Sequence, residues 1–327
     1  MSSFVYKSLV RAESALSASS FGRRLKRIRP AAALYGKLYQ LFRPAGSVMT
    51  SSWGHKLYVD PGDLGIARCL LVYNGIWEPL ESETFLSIIG KDMVVVDVGA
   101  NVGYYTLLAA RSVGSGGKVF AFEPEPGNYK LLSKNVTENG YTNVVTVQSA
   151  VADRCGTSRL YLSAKNSGAH NLSKRWQEDS SIEVNTVTLD QYFSSYDGRI
   201  DVVKIDAEGA EELIFDGMSQ LLNKHRNLVL FTELNPPVMG CSPERYLQKL
   251  SAHGFRLLEL SEQEHTVRPI DQERLAELTQ LLHDHRVAGA HADLLCVRGD
   301  WPNEPWLHLT GASDSARVSA TLAGHTA

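Results

Sequence analysis

The sequence has 327 residues, 43% of them hydrophobic and 21% charged, with a formal net charge of −3. That balance suits a globular chain with a substantial core and excludes a fibrous or wholly disordered one. No run of about 18 apolar residues occurs, so no membrane-spanning helix is expected, and the opening residues lack the apolar core of a secretory signal.

Charge is unevenly spread. Residues 1–50 hold nine Lys/Arg and one acid, Glu13, a net of +8, which leaves −11 for the rest. The four cysteines, Cys69, Cys155, Cys241 and Cys296, form no Cys-x-x-Cys pair. They fit a reducing compartment better than a disulfide framework or a zinc site. The expectation is a cytoplasmic protein, with peripheral contact at the inner membrane surface left open for the basic leader.

The leader, residues 1–50, contains "FGRRLKRIRPAAALYGKLYQLFRP" (21–44), with apolar residues near helical spacing and Pro30 expected to split it. It reads either as a helix on an anionic membrane or partner, or as a solvated segment packed on the domain edge. Residues 51–92 form an N-terminal cap: a short strand at 56–59, a "DPGD" turn, then helical patterns, the second entered at Glu78-Pro79. From 93 the rhythm becomes regular. Strands are expected at 93–98, 118–123, 143–151, 200–206, 227–234, 255–260 and 292–299. Helices are expected at 104–113, 126–140, 209–224, 243–254 and 272–285. An inserted hairpin is expected near 155–189, with strands at 158–163 and 182–189. The tail, 301–327, is small and polar at its end and expected to be disordered there, while "WPNEPW" (301–306) either folds back on the body or offers a stacking surface. Strands alternating with helices over 93–300 indicate an α/β fold, a parallel sheet with helices on both faces, and ligands at the carboxyl ends of its strands.

Carboxylates collect at those ends: Asp97, Glu123, Asp206 with Glu208, and Glu233. One acid at a strand end is ordinarily a helix cap, but five are too many for that role. In a partly desolvated cleft they would repel one another, and a cationic ligand would relieve them. The turn Asp97-Val98-Gly99-Ala100-Asn101-Val102-Gly103 lacks the Gly-x-Gly-x-x-Gly dinucleotide fingerprint, and Asp97 would oppose a pyrophosphate. A phosphate-free, cationic nucleotide fits better, and S-adenosylmethionine is one. Gly99 and Gly103 would let backbone approach it, Asp97 would face its ammonium, and Glu123 would accept both ribose hydroxyls.

"VVVDVGANVGYYTLLAAR", "KVFAFEPEPGNYKLLSKNV", "VKIDAEGAEELIFDGM" and "GIWEP" together resemble the FkbM-type family of S-adenosylmethionine-dependent methyltransferases, over roughly residues 55–260. The resemblance implies the class I methyltransferase (Rossmann-like) fold, a seven-stranded sheet with the last strand antiparallel, here with a helical or basic N-terminal extension. It implies cofactor contacts from Asp97, Gly99, Ala100, Asn101, Gly103, Glu123 and Pro124, from Ala150 and Val151 against adenine, and from Glu78. It also places Lys204 to Gly209 where a methyl acceptor approaches. Members commonly methylate hydroxyls of sugars, glycolipids or polyketide-type products, in polysaccharide or natural-product biosynthesis. Some use Mg²⁺, for which Asp206 and Glu233 would be the ligands.

The catalytic candidates are Asp206, Glu208, Lys204, His170 and Glu233. Asp206 or Glu208 would take the hydroxyl proton, although Glu208 and Glu211 also suit a helix start. His170, in a polar stretch, is a general base or a solvated side chain. The acceptor expected is a sugar, glycolipid or glycosylated small molecule, not nucleic acid, since the body is acidic. Nitrogen, protein or lipid acceptors, a degenerate scaffold docked on a glycan-assembly complex, and a homo-oligomer remain open alternatives.

Overall fold

A computed structural model describes residues 2–18, 29–163, 166–172, 180–236, 239, 242–283, 291–301, 304 and 306. Arg23, Arg24, Lys26 and Arg27 of the leader, parts of the hairpin insertion, His285 and the tail beyond Trp306 lie outside them.

Two helices, α1 (Ser2–Ala18) and α2 (Arg29–Phe42), form an antiparallel pair. Tyr6 meets Tyr39 with hydroxyls 3.0 Å apart, and Tyr35 donates to Glu13 at 2.5 Å. Pro30 lies in the first turn of α2, where its missing N–H costs nothing, and residues 21–28 of the stretch it was expected to split lie outside the described residues. The hairpin β1 (Val48–Ser52) and β2 (His55–Val59) follows, then α3 (Ile66–Val72) and α4 (Pro79–Ile88). Arg68 on α3 holds Glu13 at 2.7 Å, which ties the leader to the body.

The alternating part runs β3 (Val94–Val98), α5 (Tyr104–Val113), β4 (Lys118–Phe122), α6 (Pro126–Glu138), β5 (Val144–Val147). It continues through β6 (Ala150–Val151), β7 (Gly156–Leu162), β8 (Ser180–Val187), α7 (Leu189–Tyr192) and β9 (Val202–Ile205). Then come α8 (Glu211–Asp216), α9 (Ser219–Lys224), β10 (Leu228–Leu234), α10 (Pro243–Ala252), β11 (Arg256–Ser261), β12 (Thr266–Pro269), α11 (Gln272–His283) and β13 (Ala292–Arg298). The main sheet has the order β12-β11-β13-β10-β9-β3-β4-β5. Strands β5, β4, β3, β9 and β10 are parallel, and β13 runs antiparallel to both β10 and β11. This is the expected class I sheet with its antiparallel last strand.

Three details differ from the sequence reading. The sheet has eight strands: β12 adds an edge, pinned because Arg268 on it and Arg274 on α11 both donate to Glu259 of β11. The strand expected over 143–151 breaks after Val147, and β6 leaves for a second sheet, β6-β8-β7, which contains the expected hairpin. The helix expected over 209–224 breaks at Gly217, whose position would bring a Cβ within 2.2 Å of the Ala152 carbonyl.

Alternation along each strand builds two cores. Val95 packs with α4 and α5 on one face, while Val94, Val96 and Val98 pack with α8, α9 and α10 on the other. Trp306 is fully buried in the first core, with Trp301 packed against it.

Candidate active site

The carboxyl ends of β3, β4, β9 and β10 open into one cleft. Where β3 ends, the chain turns sharply because Gly99 and Asn101 take left-handed backbone angles, φ +80° and +48°. Gly99 has no substitute here: a Cβ would stand 1.9 Å from the Asp206 carbonyl oxygen at the end of β9. Asp97 is buried on the α5 face and accepts a 2.5 Å bond from the Thr106 hydroxyl. Burial pushes its carboxyl up to about 6, against the pull of Thr106 and Lys204. Glu123, just beyond β4, is buried and accepts from the backbone N–H of Asn101 at 2.8 Å and of Glu125 at 2.9 Å. Burial raises it to about 7 despite those two bonds. The Asn128 side chain also bonds this carboxylate and, like the two backbone bonds, pulls against the burial.

Two adjoining cavities share Gly99, Asn101, Asp206 and Glu208. The smaller, about 60 Å³, is lined by Glu123, Pro124, Ala150, Val151, Leu172 and His170. The larger, about 370 Å³, is lined by Glu78, Asp97, Ala100, Lys204, Glu233 and Asp293, among others. Gly103 lines neither. It stands behind the turn, where a Cβ would press on Leu132 at 2.7 Å. His170 faces the smaller cavity and is absent from the larger. Its Nδ1 accepts from the Ser163 N–H at 3.0 Å, and burial lowers its pKa, so the ring is neutral with that lone pair engaged.

Lys204 is the lysine that lines the larger cavity. Its Nζ lies 3.1 Å from Glu81 and 3.4 Å from Asp206, and 4.3 Å from the centre of the Tyr105 ring. Burial alone would lower its pKa, but Glu81, Asp206, Glu78 and Asp97 outweigh that and hold the ammonium well above its ordinary value. A lysine so paired is held as the ammonium, a counter-ion to the acids around it. Glu78 occupies the residue before α4 with φ +42° and accepts from the Tyr105 hydroxyl at 3.2 Å. Burial and then Glu81 raise its pKa. Burial, then Asp206 and Glu208, push Glu233 up to about 10.

Glu233 pairs across the sheet with Asp293. With His291 these two offer ligand atoms within 4.8 Å of one another. Asp206, expected with Glu233 as a cation ligand, is outside that group. Glu208 has φ +51°, and the loop around it is shaped by buried Glu211, which accepts from the N–H of Ala207 and of Gly209. Sequence reasoning missed Glu81, His291 and Asp293. An acid opening the buried run "ADLLCV" was the available signal for Asp293. Nothing local marks Glu81 as the partner of Lys204. Also missed was Asp63, which accepts from the N–H and hydroxyl of Ser167 and so holds the 167–169 turn beside Asn101.

Residues 97–257 match the methyltransferase FkbM domain. The chain is 27% identical over 157 residues to Methyltransferase sdnD of Sordaria araneosa, covering 38% of this chain and 60% of that protein. It is 28% identical over 135 residues to the Hexuronic acid methyltransferase AglP of Haloferax volcanii, covering 40% of this chain and 52% of that one. The chain thus spans about half to three fifths of the length of the curated relatives it matches. Among solved structures, methyltransferase FkbM from Methylobacillus flagellatus aligns with TM-score 0.37 and 13% identity, over 51% of this chain and 40% of that one. Residues 97–257, just under half of the chain, thus form an FkbM-family methyltransferase domain.

Proposed function

We propose that this protein transfers a methyl group from S-adenosylmethionine to a hydroxyl of a sugar or glycosylated small molecule. The observation that carries the reading is the charge of the cleft. Glu78, Glu81, Asp97, Asp206, Glu208, Glu233 and Asp293 line the larger cavity against Lys204, which is already paired. A phosphorylated nucleotide would be repelled there, while a sulfonium and an ammonium would relieve the acids.

Glu123 would hold the ribose diol, Ala150 and Val151 would face adenine, and Asp97 and Glu78 would face the methionine portion. When bound, S-adenosylmethionine supplies an activated methyl, so that the acceptor oxygen gains a C–O bond as the C–S bond breaks. The chain's task is to align the acceptor and remove its proton. Asp206 is the best placed base. It stands at the end of β9, its side chain is 39% exposed, and Lys204 orients it at 3.4 Å. Burial and the neighbouring acids raise the pKa of Glu233, and a cation would relieve that repulsion. Glu233, His291 and Asp293 would hold a divalent cation such as Mg²⁺, whose charge would relieve those acids and polarise a hydroxyl.

A sugar acceptor is supported by the relative named for hexuronic acid. Within that class a neutral ring suits this acidic cavity better than a free uronate. The test is methyl transfer from labelled S-adenosylmethionine to a panel of neutral sugars, uronates and glycolipids, with and without Mg²⁺. Asp206→Asn should bind the cofactor normally and lose at least about a hundredfold in turnover, the range of one general base. Full activity in that variant removes Asp206 from the reaction. Cofactor binding with no transfer to any acceptor favours the scaffold alternative.

A further inference from the structure

The leader forms a surface that the proposed chemistry does not use. Five large apolar side chains are exposed among the described residues, and three of them, Leu34, Leu41 and Met49, lie between residues 34 and 49. Leu34 and Leu41 are 60% and 73% exposed and two turns apart on α2, so they share a face. Lys37, exposed, lies between them one turn from each, and Lys7 and Arg11 are exposed on the neighbouring α1. The inward face of α2 is the one carrying Tyr35 and Tyr39, so the leucines are left over after the leader has packed.

Charge decides what would cover them. The first fifty residues contain a single acid, Glu13. It is buried and turned toward Arg68 and Tyr35. The outward surface of this leader therefore presents cations and leucines with no carboxylate of its own. A nucleic acid would use the cations and leave the leucines in water. An anionic bilayer uses both, with lysine and arginine at the headgroups and the leucines at the acyl boundary. No helix among the described residues is long and apolar enough to cross a membrane, so contact would be peripheral.

We infer that the α1/α2 surface docks the protein on an anionic lipid bilayer through Leu34 and Leu41, steered by Lys7, Arg11 and Lys37. The inference is independent of the methyl-transfer reading.

The test is sedimentation of the full chain with vesicles of equal parts phosphatidylglycerol and phosphatidylcholine, against phosphatidylcholine alone. Two variants, Leu34→Glu/Leu41→Glu and Lys7→Glu/Arg11→Glu, are compared, with circular dichroism confirming that each folds. Wild type should bind the anionic vesicles, bind phosphatidylcholine at least about tenfold less, and release at high salt. Each variant should lose about tenfold or more in partitioning. Absence of wild-type binding to the anionic vesicles overturns the proposal, as does binding undiminished in the leucine variant. So does equal binding to a DNA duplex that the charge variant loses and the leucine variant keeps, which would assign the surface to nucleic acid.

Discussion

Glu123 offers a sharp test because its ionisation is coupled to its proposed task. Burial lifts its carboxyl to about 7, so in the free protein it is half protonated near neutral pH. Both oxygens already accept a backbone N–H, at 2.8 and 2.9 Å, and the ribose diol would use the acceptor capacity that remains. Two hydroxyls donating to those positions need the carboxylate. Affinity should therefore be flat above pH 7 and fall by about tenfold per unit below it, as each unit costs about 1.4 kcal/mol to remove the proton. Glu123→Gln removes the charge and turns an amide N–H toward the N–H of Asn101 or Glu125. The expected loss is about 1.5–3 kcal/mol, roughly 10- to 150-fold in Kd, with the pH dependence flattened. Calorimetric titration with the demethylated product, from pH 5.5 to 8.5, reads both effects. Wild-type affinity that does not change between pH 5.5 and 7, or a folded Glu123→Gln protein that binds as tightly as wild type, refutes the assignment.

Gly99→Ala would force a side chain into a φ of +80° and against the Asp206 carbonyl. It should cost more than the roughly 1–2 kcal/mol of a left-handed residue and abolish cofactor binding, as thermal melts and titration would show. Lys204→Met strands Glu81, a partner only 5% exposed, and should destabilise by about 3–5 kcal/mol in denaturant unfolding. Lys204→Met/Glu81→Leu should recover part of that loss, and a double variant worse than the single one contradicts the pairing. Ligand-free stability should fall between pH 6.5 and 8.5, by about 1–2 kcal/mol from Glu123 and Glu211 alone, with Glu233, raised to about 10, adding to the fall. Glu123 and Glu211, both raised to about 7 by burial, are carboxylates in the unfolded chain throughout that range, whereas the native state holds their protons more tightly at its acid end. Stability that rises over the same range contradicts the burial of these acids in ionisable form.

Much of the architecture was legible because the parallel strands are buried on both faces and read as apolar runs such as "VVVDV", each followed by a turn and a helical pattern. What escaped has physical reasons. The edge strand β12 is four residues ending in Pro269, and its place is set by two arginines reaching Glu259, which no local pattern reveals. Helix α1 has no strong apolar stripe, and its inward face is a tyrosine, a glutamate and a serine. The acids Asp97, Glu123, Asp206 and Glu233 could be gathered in advance because topology places every parallel strand end at one rim. Glu81, His291 and Asp293 reach that rim from a helix and from the antiparallel strand, so the same rule did not find them. Lys204 is a catalytic candidate from its motif alone, and the distances to Glu81 and Asp206 add its part as a counter-ion.

The most direct measurement is equilibrium titration of the purified full chain with S-adenosylmethionine near pH 7.5, where Glu123 is largely ionised. One site per chain, competition by the demethylated product, and loss of binding in Gly99→Ala are the expected results. A folded wild-type protein that gives no binding with either compound, with or without Mg²⁺, contradicts the proposed cofactor.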